Sequence, residues 1–323
     1  MKCFSAIEYL KELIEKFHLN LKVDDFKIVK EGYSNLTFYS AKSNSYLKVS
    51  LPILDERFEY LKPILHHEKV SKKDYEILAK ALNYKMKILV DTDELRIEEI
   101  EKLDIDETFN LKDITHEEIK SLMKTIKEFS SNDLEDTKVL SVDEMIQKFK
   151  KIYDNYYKNS DLFKTTQIKL LKLSNEYTKY QFTTIQDTKS NDLPTIHFDL
   201  VIGNILKSRA TNTFHIIDFD YIYKGNPILM LVSLIEETQF NAETENLIIK
   251  EFFNTFYPEN SDFYNDFQQK YKKEYFLKLD YLWSLWAANL LIYYNEINDK
   301  EKVDNLIQII DDKFNSFLKH LIS

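Results

Sequence analysis

The 323-residue sequence has a single cysteine and lacks any long apolar run. One cysteine, Cys3, excludes an internal disulfide framework and a zinc site built on cysteines. No stretch of about 20 consecutive apolar residues occurs, so we predict no membrane-spanning helix. The first residues include Glu8, Glu12 and Glu15, where a secretory signal would be apolar. Together these absences predict a protein of the reducing cytoplasm that does not insert into a membrane.

Acidic residues outnumber basic ones. The chain carries 44 lysine and arginine residues against 54 aspartate and glutamate residues, a net charge of −10. A nucleic-acid-binding protein normally presents a basic face, so this balance argues against a nucleic-acid partner. Because 44% of the residues are hydrophobic and 14% are aromatic, the chain has the composition of a globular protein. The charge is compatible with a small cationic substrate.

Two short segments, residues 197–206 and 216–221, carry side chains typical of phosphoryl transfer from ATP. That reaction needs a carboxylate that orients and deprotonates the attacking hydroxyl, and an amide and a second carboxylate that hold Mg²⁺. Asp199, Asn204 and Asp218 have these chemistries in that order. One loop can aim both Asp199 and Asn204 at the same point, and Asp218 follows an apolar run, as at the end of a buried strand. The two segments therefore predict a kinase active site.

Glycine is almost as rare as cysteine, with only Gly32, Gly203 and Gly225 in the chain. A sequence this poor in glycine keeps the residue where a side chain would obstruct the backbone. Gly32 lies between two strand-like runs, where a turn over phosphates would lie. Gly203 precedes Asn204, and Gly225 follows the second acidic segment. Each could be an ordinary turn, but their joint placement favours the kinase interpretation.

The patterning of the chain changes from strand-like to helical near residue 100. Apolar residues at helical spacing predict an opening helix over 6–18 and a second helix over 66–82. Short runs bounded by turn residues predict strands over 26–30, 36–40, 45–49, 87–90 and 95–100. Later helices are predicted over 114–130, 141–158, 161–180, 228–240, 243–257, 262–298 and 300–321. This order predicts an α+β fold with a small antiparallel-sheet lobe and a larger, mostly helical lobe.

Four further segments match the motifs of one kinase family. Gly32–Asn35 is similar to a Gly-x-Ser-Asn nucleotide loop, and Arg96–Ile100 to a hinge segment beginning Arg-Ile-Glu. Asp218–Tyr221 is close to Asp-Phe-Glu-Tyr, and Leu282–Ala287 contains Leu-Trp-x-Leu-Trp. The chain thus resembles the choline/ethanolamine kinase family of the aminoglycoside-phosphotransferase-like superfamily. The resemblance implies a protein-kinase-like two-lobe fold, with a nucleotide-binding lobe over 1–101, a hinge at 95–101 and a catalytic lobe over 102–323.

The resemblance also implies a role for each matching position. Asp199 would be the catalytic base, and Asn204 and Asp218 the Mg²⁺ ligands. Contacts with ATP, the co-substrate, would come from the nucleotide loop, a strand lysine and the hinge backbone, namely Gly32, Ser34, Asn35, Lys48, Glu98 and Ile100. The amino alcohol would be bound by Asp220, Tyr221, Glu237, Trp283 and Trp286.

Two of these assignments leave alternatives. The acid near the substrate amine is Glu237 or, with a one-residue shift, Glu236. The carboxylate that should pair with Lys48 is ambiguous among three acids on the following helix, Glu68, Asp74 and Glu76.

Trp283 and Trp286 are the only tryptophans and are three residues apart, so they share one helix face. A quaternary ammonium donates no hydrogen bonds and is recognised by aromatic faces together with a nearby carboxylate. Aromatic residues at helical spacing more often form a core stripe. The resemblance favours the substrate pocket over the core stripe.

Two positions depart from the family pattern. Met230 lies where related kinases carry an aspartate that braces the catalytic loop, and Val201 replaces a polar residue. Neither change removes a group that contacts phosphate.

The sequence therefore predicts phosphorylation of the hydroxyl of a small amino alcohol, with choline as the first substrate. Ethanolamine kinase and aminoglycoside-type phosphotransferase are the alternatives within the same chemistry. A kinase-like protein that binds without turnover is the alternative from another class, motivated by Met230. A homodimer and the choice between ATP and GTP are left open.

Overall fold

The computed structural model describes residues 5–53, 56–65, 70–83, 85–92, 95–157, 163–182 and 193–322. The chain divides into two compact units, Met1–Asp104 and Ile105–Ser323. This division falls close to the lobe boundary predicted at residue 101. The nucleotide-binding role of the first unit remains a prediction.

The first unit is built on an antiparallel sheet with the strand order β1-β2-β3-β5-β4. Its strands are β1 (Lys27–Glu31), β2 (Asn35–Ser40), β3 (Ser45–Ser50), β4 (Met86–Asp91) and β5 (Arg96–Glu101). Its helices are α1 (Ala6–Lys16), α2 (Lys62–Leu65) and α3 (Lys72–Ala81). The helix predicted over 66–82 begins only at Lys72, where the Ser71 side chain caps it by accepting from the Asp74 N–H. Residues 66–69 of that prediction lie outside the described ranges.

The sheet forms because its strands alternate apolar and polar side chains. Along β2, Leu36 and Phe38 are fully buried, and the alternate residues Thr37 and Tyr39 are only partly buried. Leu47 of β3 and Ile97 of β5 join the same core, which α1 closes with Leu10. The apolar period thus fixes which face of the sheet is buried.

The second unit is mostly helical. Its helices are α4 (His116–Ser130), α5 (Val142–Ile152), α6 (Lys164–Lys179), α7 (Ile228–Thr238), α8 (Ala242–Phe256), α9 (Ser261–Asp266), α10 (Lys272–Glu296) and α11 (Lys300–Ile322). The helix predicted over 141–158 is α5 continued by one wide π turn, and the helix predicted over 262–298 comprises α9, a second such turn and α10. The α+β fold class predicted from the sequence is confirmed.

Two short ladders in this unit position the candidate site. Strand β6 (Thr195–His197) pairs with β9 (Ile222–Lys224), and β7 (Ile205–Lys207) pairs with β8 (Phe214–Ile216). The sequence indicated only the end of β8, through the apolar run before Asp218. Each of these strands has three residues, which is too short for an alternating pattern to be read.

Helix α10 is the centre of the second unit and packs against α5, α6, α7 and α11. It is buried on nearly every side, so its apolar residues form no single stripe. None of the helices in the described parts of the chain is long and apolar enough to cross a bilayer.

Candidate active site

Asp199 follows β6, and two hydrogen bonds hold the segment that carries it. The Phe198 N–H donates to the Tyr221 carbonyl at 2.8 Å, which extends the β6–β9 pairing toward Asp199. The buried His197 side chain donates from Nε2 to the Ile217 carbonyl at 3.0 Å. His197 therefore joins the two acidic segments, consistent with a structural rather than a proton-transfer role.

Asn204 is bonded directly to Asp199. Its Nδ2 donates to the Asp199 carbonyl at 2.8 Å and to Asp199 Oδ2 at 3.2 Å. The backbone carbonyl of Asn204 accepts from the Ile217 N–H at 3.0 Å, so Asn204 also contacts the second acidic segment. Because Nδ2 is used in this way, Oδ1 is the atom of the Asn204 amide suited to a metal ion.

Asp218 is the second residue after β8 and adopts φ 66° and ψ 81°, in the left-handed region. Residues other than glycine rarely adopt this conformation, although aspartate tolerates it better than most. Such strain persists only where the surrounding structure holds it, and it is common at functional sites. No feature of the sequence indicated this left-handed conformation of Asp218.

The carboxylates of the two segments converge. The pKa of Asp199 is raised to about 7, first by burial and then by the negative charges of Asp218, Glu237 and Asp220. The hydrogen bond from Asn204 opposes this rise. A cluster of negative charge with only oxygen donors fits a hard divalent cation such as Mg²⁺. The residues predicted as base and metal ligands are therefore brought together.

An aromatic cluster lies against the same segments. The Trp283 ring stacks on the Phe198 ring, with centroids 5.7 Å apart and planes at 28°. Tyr221 and Trp286 each meet Trp283 edge to face at 6.0 Å. We call Phe198, Tyr221, Trp283 and Trp286 the aromatic cluster. The sequence predicted all its members except Phe198, whose position immediately before Asp199 was the available signal.

Tyr221 links the aromatic cluster to the acids. Burial raises the pKa of its hydroxyl well above the usual value, and the Asp199 charge raises it further. Tyr221 is therefore a neutral phenol at physiological pH. Both Trp283 and Trp286 are only partly buried, so each retains some accessible ring surface.

The two adjacent glutamates at the end of α7 have different surroundings. Glu237 is close enough to Asp199 to raise its pKa, and it forms an ion pair with Lys313 of α11. Glu236 is buried against Lys313 and Asp280. The geometry therefore favours Glu237 over Glu236 as the acid of the site. Lys313 was not singled out by the sequence.

The turn Ile202–Asn204, which follows Asp199, rests on the apolar helix α7. This helix packs against β6 and against the 3₁₀ turn Ile202–Asn204, and Met230 in its first turn is fully buried. Val201 donates its N–H to the Asp199 carbonyl at 2.9 Å and accepts from the Asn204 N–H at 2.9 Å. The turn is therefore supported at both positions that depart from the family pattern, by backbone hydrogen bonds at Val201 and by apolar packing at Met230.

In the first unit, the predicted nucleotide loop is a tight turn between β1 and β2. The Gly32 N–H donates to the Asn35 carbonyl at 2.8 Å, and Asn35 Nδ2 donates to Ser34 Oγ at 3.0 Å. A Cβ atom on Gly32 would lie 3.1 Å from the Asn35 carbonyl oxygen. Close backbone approach therefore accounts for glycine here.

Lys48 lies on β3 opposite Glu98 of β5, and both residues are buried. Of its candidate acidic partners, Asp74 is buried and Glu76 is exposed, and Glu68 lies outside the described residues. Burial therefore favours Asp74 over Glu76.

The predicted hinge residues Glu98 and Ile100 lie on β5. Glu98 pairs with Lys48 of β3 on one side and with Ile88 of β4 on the other, and Ile100 pairs with Tyr46 and Met86. A contact between their backbone groups and a nucleotide base stays a prediction.

No family model matches the sequence, and no curated protein matches it. Solved structures do match. The choline kinase LicA of Streptococcus pneumoniae has 15% identity and a TM-score of 0.54, covering 96% of this chain and 99% of that chain. A Plasmodium vivax ethanolamine kinase has 13% identity and a TM-score of 0.59, covering 99% of this chain and 95% of that chain. The aminoglycoside phosphotransferase APH(2")-IIa, solved with gentamicin, has 14% identity and a TM-score of 0.51, covering 97% of this chain and 99% of that chain.

These similarities extend over nearly the whole chain. At such low identities they establish the fold, which this protein shares with choline and ethanolamine kinases and with aminoglycoside phosphotransferases. The resemblance first seen in short motifs therefore extends to the architecture, and the predicted kinase-like fold is confirmed.

Proposed function

We propose that this protein is an ATP- and Mg²⁺-dependent kinase for the hydroxyl of a small amino alcohol, with choline as the preferred substrate. The convergence of Asp199, Asn204 and Asp218 beside the aromatic cluster carries the proposal. Oxygen donors for a metal, a base and a cation-binding surface then meet within one unit. The product would be a phosphomonoester, of the kind used in phospholipid headgroup synthesis.

Asp199 is suited to act as the base. A base works best when its pKa lies near the working pH, and the pKa of Asp199 is raised to about 7. The Asn204 side chain holds this carboxylate in place by donating from Nδ2 to Asp199 Oδ2. The substrate oxygen would form a bond to the γ-phosphorus as the bond to ADP breaks, and its proton would pass to Asp199.

The metal would be held by Asp218 and by Oδ1 of Asn204. When bound, Mg²⁺ would neutralise charge on the ATP phosphates. The protein would contribute by holding both acids in place. Asn204 would fix the Asp199 carboxylate, and the backbone conformation of Asp218 would direct its carboxylate.

Recognition of the substrate cation would come from the aromatic cluster. Each cation–π contact contributes roughly 0.5–2 kcal/mol, and tryptophan is the strongest partner. Asp220 and Glu237 would add negative charge nearby. A quaternary ammonium suits such a surface because it needs no hydrogen-bond acceptor.

Nucleotide binding would involve the Gly32 turn and Lys48 of the first unit. LicA has been solved with AMP, and APH(2")-IIa with ATP and streptomycin. The tight turn at Gly32–Asn35 gives this chain a short loop of the type that covers phosphates in such kinases.

The proposal is tested by ADP release with Mg²⁺ and ATP in a coupled assay, using choline, ethanolamine and an aminoglycoside as separate substrates. We expect the highest kcat/KM with choline. The matched control is Asp199→Asn, which retains size and the contact with Asn204 and should lower kcat by about 10²–10⁴. Equal turnover by the wild type and this variant would contradict the assignment of the base.

Two other outcomes correspond to the other candidate functions. Higher kcat/KM with ethanolamine or an aminoglycoside would favour the activities of the Plasmodium and APH(2")-IIa neighbours. An absence of ADP release across the panel would favour a kinase-like protein that binds without turnover.

A further inference from the structure

An ammonium group lies between the two glutamates at the end of α7. Lys313 Nζ donates to Glu237 Oε1 at 2.5 Å and to Glu236 Oε1 at 3.1 Å. The Lys313 side chain is 10% exposed and Glu236 is 7% exposed, whereas Glu237 is 35% exposed. Glu236 therefore belongs to the interior, and Glu237 faces outward from the same ion pair.

The other members of this network favour their neutral forms. Burial and the neighbouring Glu236 charge raise the pKa of Asp280 well above its usual value, which favours its protonated carboxyl. Burial lowers the pKa of His320, whose Nδ1 lies 3.4 Å from Asp280 Oδ2, and this favours the neutral imidazole. The two glutamates and Lys313 therefore carry most of the charge of the network.

The network could be mistaken for a metal site. Glu236, Asp280 and His320 place potential ligand atoms within 4.8 Å of one another. However, the Lys313 ammonium already lies against Glu236, and a divalent cation there would meet like charge. The chain supplies its own cation at this point.

The network is adjacent to the candidate substrate pocket. Glu237 acts electrostatically on Asp199, as described above. Asp280 lies three residues before Trp283 on α10, so the two side chains share one face of that helix. Lys313 therefore pairs with an acid that acts on Asp199, the residue next to Phe198 of the aromatic cluster.

We propose that Lys313 determines substrate preference at this site by occupying the Glu237 carboxylate. A substrate with a primary ammonium needs acceptors for its N–H groups, and a bound lysine removes one of them. A quaternary ammonium has no N–H to satisfy and depends on aromatic faces instead. Lys313 thus favours choline over ethanolamine. This inference rests on the proposed amino alcohol kinase activity.

The direct test frees Glu237 without changing the net charge of the network. Glu236→Gln/Lys313→Met removes one negative and one positive charge and leaves Glu237 as an unoccupied acceptor. We expect the ratio of kcat/KM for ethanolamine to that for choline to rise roughly 10- to 100-fold, since a hydrogen bond to a charged group is being added. A purely structural role for Lys313 would alter both substrates equally and leave the ratio unchanged.

Two matched variants assign the effect to Glu237. Glu236→Gln alone leaves Lys313 on Glu237 and should retain the wild-type ratio. Adding Glu237→Gln to the double variant should return the ratio toward the wild-type value. Should the methionine variant lose its thermal unfolding transition, Glu236→Gln/Lys313→Gln replaces it, because the glutamine amide can hydrogen-bond in the buried site.

The outcomes separate this inference from the function on which it rests. An active wild type whose ratio is unchanged in the folded double variant would overturn the role of Lys313 alone. A wild type that phosphorylates neither choline nor ethanolamine would overturn the proposed function, and this inference with it.

Discussion

Asp218 combines the carboxylate that we propose as a metal ligand with a backbone conformation that L-residues avoid. Its φ of 66° costs a residue with a Cβ atom roughly 1–2 kcal/mol, whereas glycine adopts the same conformation freely. The surrounding contacts, including the Ile217 N–H bond to Asn204, hold the strain in place. Stability and function therefore place opposite demands on this residue.

A pair of substitutions separates those demands. Asp218→Gly and Asp218→Ala both remove the carboxylate, and we expect both to abolish turnover. The glycine variant should have the greater free energy of unfolding, by about 1 kcal/mol, because it relieves the strain. Urea denaturation of the two variants measures the difference, and equal stabilities would contradict a strained backbone at this position.

At this scale, the sequence predicted the residues that lie in short motifs. Asp199, Asn204 and Asp218 were identified from their chemistry and spacing, and Trp283 and Trp286 from the family resemblance. Lys313 was missed because its partner Glu237 is 76 residues away, and only tertiary packing brings them together.

Helix α10 carries both tryptophans of the aromatic cluster and Asp280, which lies against Glu236. Trp283 contacts the other three rings of the cluster, one of them Trp286, one turn along the same helix. Asp280, one turn before Trp283, is fully buried. One helix therefore places the proposed cation-binding rings and a buried titratable acid at neighbouring positions.

Trp283→Leu tests recognition by the aromatic face while retaining apolar volume. We expect KM for choline to rise by roughly 2- to 30-fold, since a cation–π contact contributes about 0.5–2 kcal/mol. KM for ATP, measured in the same assays, serves as the internal control and should change little. An unchanged KM for choline would return Trp283 to the core-stripe interpretation.

Asp280→Asn tests the buried proton of this helix. Burial and Glu236 raise the folded-state pKa of Asp280 above its unfolded value, so between the two values the folded protein holds the extra proton. Stability contributed by this group therefore falls as pH rises, by up to about 1.4 kcal/mol per pH unit. The asparagine variant lacks this slope and should gain stability relative to the wild type on going from pH of about 5.5 to about 7.5.

Urea denaturation of both proteins at the two pH values measures the change. A stability difference that does not vary with pH would contradict a raised pKa at Asp280. Agreement would establish that the acid between α7 and α10 is neutral under physiological conditions.

Long elements were predictable from periodicity, and short ones were not. Helix α4 (His116–Ser130) lies within two residues of its prediction, because its apolar stripe and its Thr115 cap are both visible in the sequence. Strands β6 to β9 span three residues each and are defined by pairing with distant segments. These strands form because distant segments of the chain pair with them, and not because of a pattern in their own residues.

The molecule as a whole keeps the fold of its neighbours at 13–15% identity. Alternation in the sheet and periodicity in the helices can be preserved by many different residues, so few identities are needed. The sequence therefore predicted the α+β class and the order of the two parts. The strand predicted over 95–100 corresponds to β5, but its place between β3 and β4 could not be predicted, since a local pattern does not display which strands will pair.

Binding of Mg²⁺ and ATP should stabilise the whole protein. A ligand that binds only the folded state contributes about 2.7 kcal/mol at 100 times its dissociation constant. We expect the thermal midpoint to rise with ATP and Mg²⁺ together and to rise less with ATP and a chelator. Asp218→Asn should remove the difference between the two conditions.

That comparison is made by thermal unfolding of the wild type and the variant in parallel. An identical shift with and without Mg²⁺ in the wild type would contradict a metal held by Asn204 and Asp218. The readout does not depend on catalytic turnover, so it applies whichever acceptor is the substrate.

The buried Met230 has a consequence for the conditions in which the turn Ile202–Asn204 keeps its shape. A brace made of a carboxylate would lose its charge, and the hydrogen bonds that depend on that charge, as the pH falls through its pKa. Methionine has no group that titrates. A turn supported by methionine should therefore keep this support in acidic as in neutral solution.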